Sequence, residues 1–250
     1  MVWSYSRVNS FSECPYKWFL TYIYTDKSGK PLKKQSGFFA EFGSYIHMIL
    51  QLYFDGILKR EDLSSFYVLH FKENVRAKAP NQKIYKNYFE QGFGYLDRFS
   101  FPERNILGVE EKVQFVFAGK PFQGFIDLRS DDNDQRIITD HKSRALKPRS
   151  NRTKPTKSDA ELDDYLRQLY VYSAAVHEKH GYYPDILEFN AFRSGELIQE
   201  PFDPEKLKGV EDWAVKQIDA ITRNDNWEAR PEYWRCNYLC DVCRECEHRA

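Results

Sequence analysis

Two short apolar runs that contain acidic residues constrain this chain more than any other feature. The runs are residues 124–128 and 137–142, and an acidic stretch, residues 131–134, separates them. This pattern predicts two antiparallel strands joined by a polar turn. Because side chains alternate along a strand, Asp140 and Lys142 are expected on one face. Pairing of the two strands can then bring Asp127 beside them.

This grouping of two carboxylates and one ammonium has a specific chemical use. Two carboxylates can hold a hard divalent cation, and a neighbouring ammonium can orient or deprotonate a water molecule. Asp127, Asp140 and Lys142 therefore indicate hydrolysis of a phosphodiester. These residues alone leave open a second interpretation, a salt-bridged turn with a solvent-facing lysine.

Composition limits the class of protein. A chain of 250 residues with 16% aromatic residues is long enough for one folded domain and unlike a disordered chain. The formal net charge is zero, so contact with nucleic acid must come from local patches. No apolar signal region and no run of about 20 apolar residues is present. We therefore expect a soluble, cytoplasmic protein without membrane contact.

Hydrophobic periodicity predicts an α/β protein. Predicted helices cover residues 4–24 with a break at Cys14-Pro15, 41–58, 61–100 with a break near residue 80, 159 or 163 to about 180, and 204–223. Predicted strands cover residues 109–117, 122–128, 137–142 and 186–192. The first three strands predict an antiparallel meander. We expect one domain over residues 1–250, with a helical lobe at about 41–105, a core at about 106–200 and a cysteine-rich tail at 236–246.

Four further residues are candidates for the same site. His47 lies beside the apolar stripe of its helix, where it is either a hydrogen-bonded border residue or a metal ligand. Glu110 and Glu111 point to opposite sides of a strand, so one of them can join the carboxylates. Gln168 and Tyr172 share a helix face at i, i+4 and can grip a phosphate or order the lysine.

A basic segment follows the second strand. It contains seven cations and no acid between its first and last cation: Lys142, Arg144, Lys147, Arg149, Arg152, Lys154 and Lys157. Phosphate neutralisation is the natural use of such a segment, and the alternative is a merely solvated loop.

The five cysteines are unevenly distributed. Cys14 stands alone, whereas the tail reads Cys236-x3-Cys240-x2-Cys243-x2-Cys246. Crowded cysteines in a cytosolic chain favour metal binding over disulfides, either a tetrahedral zinc site or an iron–sulfur cluster. A cluster that includes Cys14 would join the two ends of the chain.

Taken together, these residues resemble the RecB-like branch of the PD-(D/E)XK nucleases. That branch carries, in order, a helix histidine, Gly-x-x-Asp, Asp-x-Lys and Gln-x3-Tyr, which correspond here to His47, Gly124–Asp127, Asp140–Lys142 and Gln168–Tyr172. The opening segment, residues 4–16, also resembles the N-terminal signature of this branch. Members with an iron–sulfur cluster include CRISPR-adaptation exonucleases, the AddB nuclease domain and phage exonucleases. They carry one cysteine near the N-terminus and three near the C-terminus.

The resemblance implies a fold, ligands and roles. The fold would be a restriction-endonuclease-like core, a mixed central sheet flanked by helices. Mg²⁺ or Mn²⁺ would be bound by His47, Glu110, Asp127, Asp140 and the backbone carbonyl of His141. Lys142 would position or activate water, supported by Gln168 and Tyr172. A [4Fe-4S] cluster would use Cys14, Cys240, Cys243 and Cys246, with Cys236 as the alternative and zinc as the alternative metal.

Two departures from the pattern stand out. Ile126 precedes Asp127 where the superfamily often has proline, and the tail has four cysteines in an uncommon spacing.

The implied activity is metal-dependent exonucleolytic cleavage of single-stranded DNA ends, in phage recombination, DNA repair or spacer processing. No nucleotide-binding Gly-x4-Gly-Lys-Ser/Thr loop is present, so we expect no helicase motor in this chain. The expected partners are DNA and a helicase or recombination protein. The alternatives are an endonuclease on branched or duplex DNA, a DNA-binding adaptor with an inactive nuclease core, and a zinc-stabilised RNA-binding module. The basic residues expected to contact DNA are Arg144, Lys147, Arg149, Arg152 and Lys154.

Overall fold

A five-stranded sheet forms the centre of the molecule in the computed structural model, which describes residues 1–250. The strands are β1 (Asn105–Phe117), β2 (Lys120–Asp132), β3 (Gln135–Lys142), β4 (Ile186–Ala191) and β5 (Glu196–Pro201). They lie side by side in chain order, with β3 and β4 parallel and the other neighbours antiparallel. The predicted antiparallel meander and mixed sheet are confirmed.

Seven α-helices surround the sheet. They are α1 (Tyr5–Glu13), α2 (Pro15–Tyr22), α3 (Phe38–Phe54), α4 (Leu63–Asn74), α5 (Gln82–Asp97), α6 (Lys157–His180) and α7 (Pro204–Thr222). The predicted break at Cys14-Pro15 is present, since Cys14 Sγ caps α2 by accepting a hydrogen bond from the Lys17 amide at 3.4 Å. None of the helices is both long and apolar enough to cross a membrane.

The turn between β2 and β3 is tighter than predicted. The strands remain paired as far as Asp132 and Gln135, so only Asn133 and Asp134 form the turn. Both have positive φ angles, 49° and 66°, which asparagine and aspartate tolerate better than other side chains. This short turn fixes the register that brings Asp127 to the height of Asp140.

The predicted strand at 186–192 ends at Ala191, and β5, which follows it, was not predicted. β5 has six residues, of which only Ile198 and Glu200 are buried. Its sequence therefore lacks the alternating run of apolar residues that would predict a strand. It is held by antiparallel pairing with β4. Helix α6 begins two residues before the first predicted start, because Thr156 and Asp159 form a capping box.

Two hydrophobic clusters pack around the sheet. The larger has 28 buried residues and joins β1–β5 to α1, α2, α6 and α7. The smaller has 14 buried residues and joins α3, α4 and α5 to Phe192, which follows β4. Helices α3, α4 and α5 therefore share one cluster, and the division of the chain into a lobe and a core stays a prediction. Because α3 also contacts β1, residues on α3 can reach the sheet.

Candidate active site

Strands β2 and β3 and helix α3 meet at Asp127. Its Oδ2 accepts a hydrogen bond from the backbone N–H of His141 at 2.8 Å. His47 of α3 approaches the same point, with Nε2 2.7 Å from the His141 carbonyl oxygen and Nδ1 3.4 Å from Asp127 Oδ2. The predicted neighbours on β2, β3 and α3 are thus in contact.

A third residue, Glu110, completes a group of possible metal ligands. One ligand atom each from His47, Glu110 and Asp127 lies within 4.8 Å of the others. Glu110 lies between residues of β1 that pair on either side of Asp127, and its φ angle is +45°. A positive φ inside a strand is a local irregularity that redirects a side chain. One imidazole and two carboxylates suit Mn²⁺ or Mg²⁺, so this group could bind a divalent metal ion.

Electrostatics favour a cation at this group. Burial, together with the neighbouring Asp140 and Glu110 carboxylates, raises the pKa of Asp127 well above its usual value. Burial and Asp140 also raise the pKa of Glu110. Burial lowers the pKa of His47, which favours the neutral imidazole that binds metals. A bound cation would relieve the repulsion between these carboxylates.

Asp140 and Lys142 form a buried ion pair beside this group. Lys142 Nζ lies 2.7 Å from Asp140 Oδ2 and donates a hydrogen bond to Gln168 Oε1 at 2.7 Å. Asp140 lies outside the set of ligand atoms within 4.8 Å. Its buried Oδ2 is instead occupied by the Lys142 ammonium. Asp140 and Lys142 share a face as predicted.

The side chain of His141 is structural. Its Nδ1 lies 3.1 Å from Asn190 Nδ2, and its ring stacks 6.0 Å from that of Phe54. Burial lowers its pKa well below the usual value. The His141 ring also lies edge-on to the His47 ring, with centroids 5.5 Å apart, while its backbone N–H contacts Asp127 and its carbonyl oxygen contacts His47.

A cleft of about 420 Å³ opens beside Asp127. It is lined by Ser4, Ser6, Lys112, Gln123, Gly124, Phe125, Asp127, Gln168 and Tyr172. Ser4 and Ser6 belong to the opening segment that resembles the N-terminal signature, whereas Lys112 and Gln123 were not predicted and reach the cleft only through the fold. Gly124 has a clear role, because a Cβ there would lie 2.6 Å from Cε1 of Tyr172. Glycine thus permits Tyr172 to pack directly on β2.

The close approach at Gly124 gives a prediction. Gly124→Ala should displace the Tyr172 ring, destabilise the protein by about 1–3 kcal/mol and lower any activity of the site. Thermal unfolding and kinetics of the purified variant measure both effects. Gly209→Ala is a matched control, because a Cβ at Gly209 meets nothing within 4 Å. Unchanged stability and activity of the Gly124 variant would show that the ring is not constrained.

The predicted basic loop is present, but its middle is held in place. Residues 143–156 contain no helix or strand. Asp159 accepts hydrogen bonds from the Ser150 hydroxyl at 2.6 Å and from the amides of Ser150 at 2.7 Å and Thr156 at 2.6 Å, which hold its pKa below the usual value. Arg149 pairs with Glu200 at 2.9 Å and Asp163 at 2.7 Å.

The loop cations therefore divide into two groups. Arg149 is half-buried and its charge is used inside the protein, which corrects its assignment as a free phosphate contact. Lys147, Arg152 and Lys154 are exposed. Arg144 is also exposed and donates to Tyr165 Oη at 2.5 Å. Tyr165, one helical turn before Gln168, is not among the residues predicted for the site.

The tail brings four cysteines to one place. Cys14, Cys236, Cys240 and Cys246 line a single small cavity of about 20 Å³, and all five cysteines are free thiols. The expected proximity of Cys14 to the tail is present. Cys243 does not line this cavity, although it lies close enough to Cys240 and Cys246 to contribute, after burial, to the raised pKa of both thiols. The predicted set of Cys14 with Cys240, Cys243 and Cys246, with Cys236 as the alternative, stays a prediction. Cys236 lies on the helical turn Arg235–Leu239, and Cys240 follows that turn directly.

Comparison with known proteins agrees with this fold. The profile of the PD-(D/E)XK nuclease superfamily matches residues 2–250, and the chain therefore belongs to that superfamily. Among solved structures, a presumed exonuclease from Eubacterium rectale is similar, with a TM-score of 0.54 and 14% identity. That match covers 100% of this chain and 88% of the other. The predicted restriction-endonuclease-like α/β fold is confirmed.

A second solved structure, described as SSO0001, matches at a TM-score of 0.32 and 17% identity, over 83% of this chain and 96% of the other. No curated protein matches this chain.

Proposed function

We propose that this protein is a divalent-metal-dependent DNA nuclease of the RecB-like branch that digests single-stranded DNA from its ends. The observation that carries the proposal is the group of His47, Glu110 and Asp127, with ligand atoms within 4.8 Å of one another, beside the buried Asp140–Lys142 pair. Membership of a nuclease superfamily supports phosphodiester hydrolysis. The likeness to a presumed exonuclease and the open cleft favour digestion from an end.

The residues divide into metal ligands and groups that position water and phosphate. Mg²⁺ or Mn²⁺ would be held by His47, Glu110 and Asp127, with Asp140 and the His141 carbonyl oxygen beside them. When bound, the ion supplies positive charge that polarises the phosphodiester and lowers the pKa of a water molecule. This chemistry needs ionised carboxylates and a neutral imidazole. The positive charge of the bound metal ion would favour the ionised state of Asp127.

Lys142 holds charge next to the reacting phosphate. Its ammonium is fixed between Asp140 Oδ2 and Gln168 Oε1, both at 2.7 Å. Fixed in this way, it can orient a water molecule and stabilise negative charge that develops on the phosphate. Tyr172 lines the same cleft, and because burial raises its pKa, its hydroxyl remains a neutral hydrogen-bond donor.

DNA contacts are assigned to the exposed loop cations. Arg144, Lys147, Arg152 and Lys154 follow Lys142 along the chain and are exposed. Since the net charge is zero, these local cations would supply phosphate neutralisation and make binding salt-dependent. A cytoplasmic setting and a helicase or recombination partner fit an enzyme that needs free single-stranded ends.

We also propose that Cys14, Cys236, Cys240 and Cys246 hold a [4Fe-4S] cluster that joins the ends of the chain. These four thiols surround one cavity. No three cysteine sulfurs lie within 4.8 Å of one another, a wider spread than the roughly 3.8 Å between thiolates bound to one tetrahedral zinc ion. Cys14 Sγ accepts hydrogen bonds from the backbone N–H groups of Lys17 and Arg230, both at 3.4 Å, which hold the sulfur at the edge of this cavity.

Comparing serine variants of Cys236 and Cys243 tests the proposed set of cluster ligands. After anaerobic purification, Cys236→Ser should lose most of the bound iron and lower the melting temperature, whereas Cys243→Ser should keep both. Iron quantitation and the visible absorption spectrum measure the difference. Loss of iron in the Cys243 variant alone would instead support the set that includes Cys243.

Linear and circular single-stranded DNA distinguish an exonuclease from an endonuclease. With Mn²⁺ present, linear DNA should be degraded to short products, and circular DNA of the same sequence should persist. Rapid cutting of the circle would replace the exonuclease with an endonuclease. Binding without cutting of either substrate would favour an adaptor with an inactive nuclease core.

A further inference from the structure

An aromatic strip lies where the cysteine-rich tail meets the N-terminal end of α3. It consists of Phe39, Tyr88, Trp234 and Tyr238. Ring centroids are 5.0 Å apart for Phe39 and Tyr88, 5.9 Å for Phe39 and Trp234, and 4.6 Å for Trp234 and Tyr238. Trp234 is 42% exposed, and the other three rings are partly exposed. Neither hydrophobic cluster contains Trp234 or Tyr238.

The strip is continuous with the candidate active site along α3. Phe39, Gly43 and His47 are spaced i, i+4 and i+8, so they follow one ridge of the helix about 12 Å long. A Cβ at Gly43 would lie 3.4 Å from Oγ of Ser143, the residue after Lys142. The ridge therefore runs from the strip, past the end of β3, to the metal-ligand group.

A second path of contacts joins the same two places. The amide of Phe192 donates to the carbonyl oxygen of Lys142 at 3.2 Å. The next residue, Arg193, places its guanidinium 4.2 Å from the ring centroid of Tyr88 and donates to Tyr88 Oη at 2.9 Å. Its remaining hydrogen bond goes to the neutral Gln91 at 2.8 Å, and it forms no ion pair. Arg193 thus adds an uncompensated positive charge to the strip.

The tail turn holds Trp234 in position. Glu232 accepts hydrogen bonds from the amides of Trp234 at 3.0 Å and Arg235 at 2.8 Å. Cys236, which lines the thiol cavity, follows two residues later. The indole is therefore displayed by an ordered turn, and its exposure is fixed by the same segment that would hold the cluster.

We propose that the aromatic strip stacks the bases of a single DNA strand whose backbone passes the metal-ligand group. Exposed rings beside an unpaired cation are the features by which proteins grip single strands without reading sequence. At 3.4 Å per stacked nucleotide, the 12 Å ridge corresponds to three or four nucleotides between the strip and the cleaved bond. This inference rests on the proposed function and names the part of the substrate that the strip contacts.

The test measures binding separately from cutting. Without added divalent metal, a fluorescent 20-nucleotide oligo(dT) should bind Trp234→Ala about tenfold more weakly than wild type, and Trp234→Phe should restore most of the loss. Phe93→Ala is the matched control, because Phe93 is 38% exposed and belongs to no ring pair of the strip. All variants should keep the iron content and circular dichroism of the wild type.

Abasic DNA identifies the contact as stacking. An oligonucleotide with abasic sites three to five nucleotides from the cleaved end should bind wild type about as weakly as Trp234→Ala binds intact DNA. The two changes together should cost little more than either alone. Fully additive losses, or unchanged binding by Trp234→Ala, would overturn the stacking role. Equal binding of oligo(rU) would overturn the assignment to DNA.

The failure of this inference is distinguishable from that of the proposed function. Hydrolysis of bis(p-nitrophenyl) phosphate with Mn²⁺ needs the metal-ligand group but no bases, so Trp234→Ala should leave it unchanged. A wild type that hydrolyses nothing would sink the proposed function alone. If wild type cuts DNA and Trp234→Ala binds DNA normally, only the stacking role of the aromatic strip is contradicted.

Discussion

Lys142→Met should lower the turnover of DNA by about 10²–10³-fold, the usual cost of removing one preorganised charge from a hydrolytic site. The ammonium lies 2.7 Å from Asp140 Oδ2 and 2.7 Å from Gln168 Oε1, so no other side chain can take its place without rearrangement. Binding of Mn²⁺ should persist, because His47, Glu110 and Asp127 are unchanged. Single-turnover digestion and calorimetric Mn²⁺ titration measure the two properties separately.

A stability control is needed for this variant. Asp140 is only 4% exposed in its side chain, so removing its partner leaves a buried charge and should cost about 3 kcal/mol. The double variant Asp140→Asn/Lys142→Met removes both charges and should recover much of that stability without recovering activity. Recovery of activity together with stability would mean that the lysine is structural.

Asp127→Asn should have opposite effects on activity and stability. An amide oxygen can still accept the hydrogen bond that the His141 amide makes at 2.8 Å. The change removes a carboxylate whose charge is disfavoured by burial and by Asp140 and Glu110. Loss of a residue that only hydrogen-bonds to a metal ligand lowers metal affinity by roughly 10–100-fold. Asp127 is proposed as a direct ligand, so we expect Asp127→Asn to lower Mn²⁺ affinity by more than this. Cutting should be lost, and the metal-free protein should become about 1 kcal/mol more stable.

The stability gain of Asp127→Asn should depend on pH in a defined direction. The folded pKa of Asp127 is raised, so the folded protein retains a proton over a pH range in which the unfolded chain has lost it. Stability of the metal-free wild type therefore falls as pH rises from the ordinary aspartate pKa towards the raised one. The advantage of the variant should grow over that range and vanish below it. Urea unfolding at several pH values tests this, and a pH-independent difference would contradict it.

The linear motifs predicted much of the site because each lies within one regular element. Asp140 and Lys142 are two apart on a strand, and Gln168 and Tyr172 are four apart on a helix, so local periodicity alone places each pair on one face. His47 could be only a candidate, since its role depends on the packing of α3 against the sheet. Its 2.7 Å approach to the His141 carbonyl oxygen is a tertiary contact.

Other features could not be predicted from local pattern. The choice of Glu110 over Glu111 depends on an irregularity in β1, where Glu110 has a φ angle of +45°. Glu111 instead pairs with Arg129 at 2.6 Å. The engagement of Arg149 by Asp163 and Glu200 joins residues that are distant in sequence. The position of Cys236 beside Cys14 at the thiol cavity likewise depends on how the tail packs against the N-terminal helices, which spacing along the chain does not encode.

The most direct test is digestion of end-labelled single-stranded DNA by the purified protein, with and without Mn²⁺, beside Asp127→Asn and Lys142→Met. We expect wild type to shorten the DNA only when Mn²⁺ is present, and both variants to leave it intact over the same time. Cutting by wild type without a divalent metal ion, or undiminished cutting by either variant, would contradict the assignment of the catalytic centre to this site.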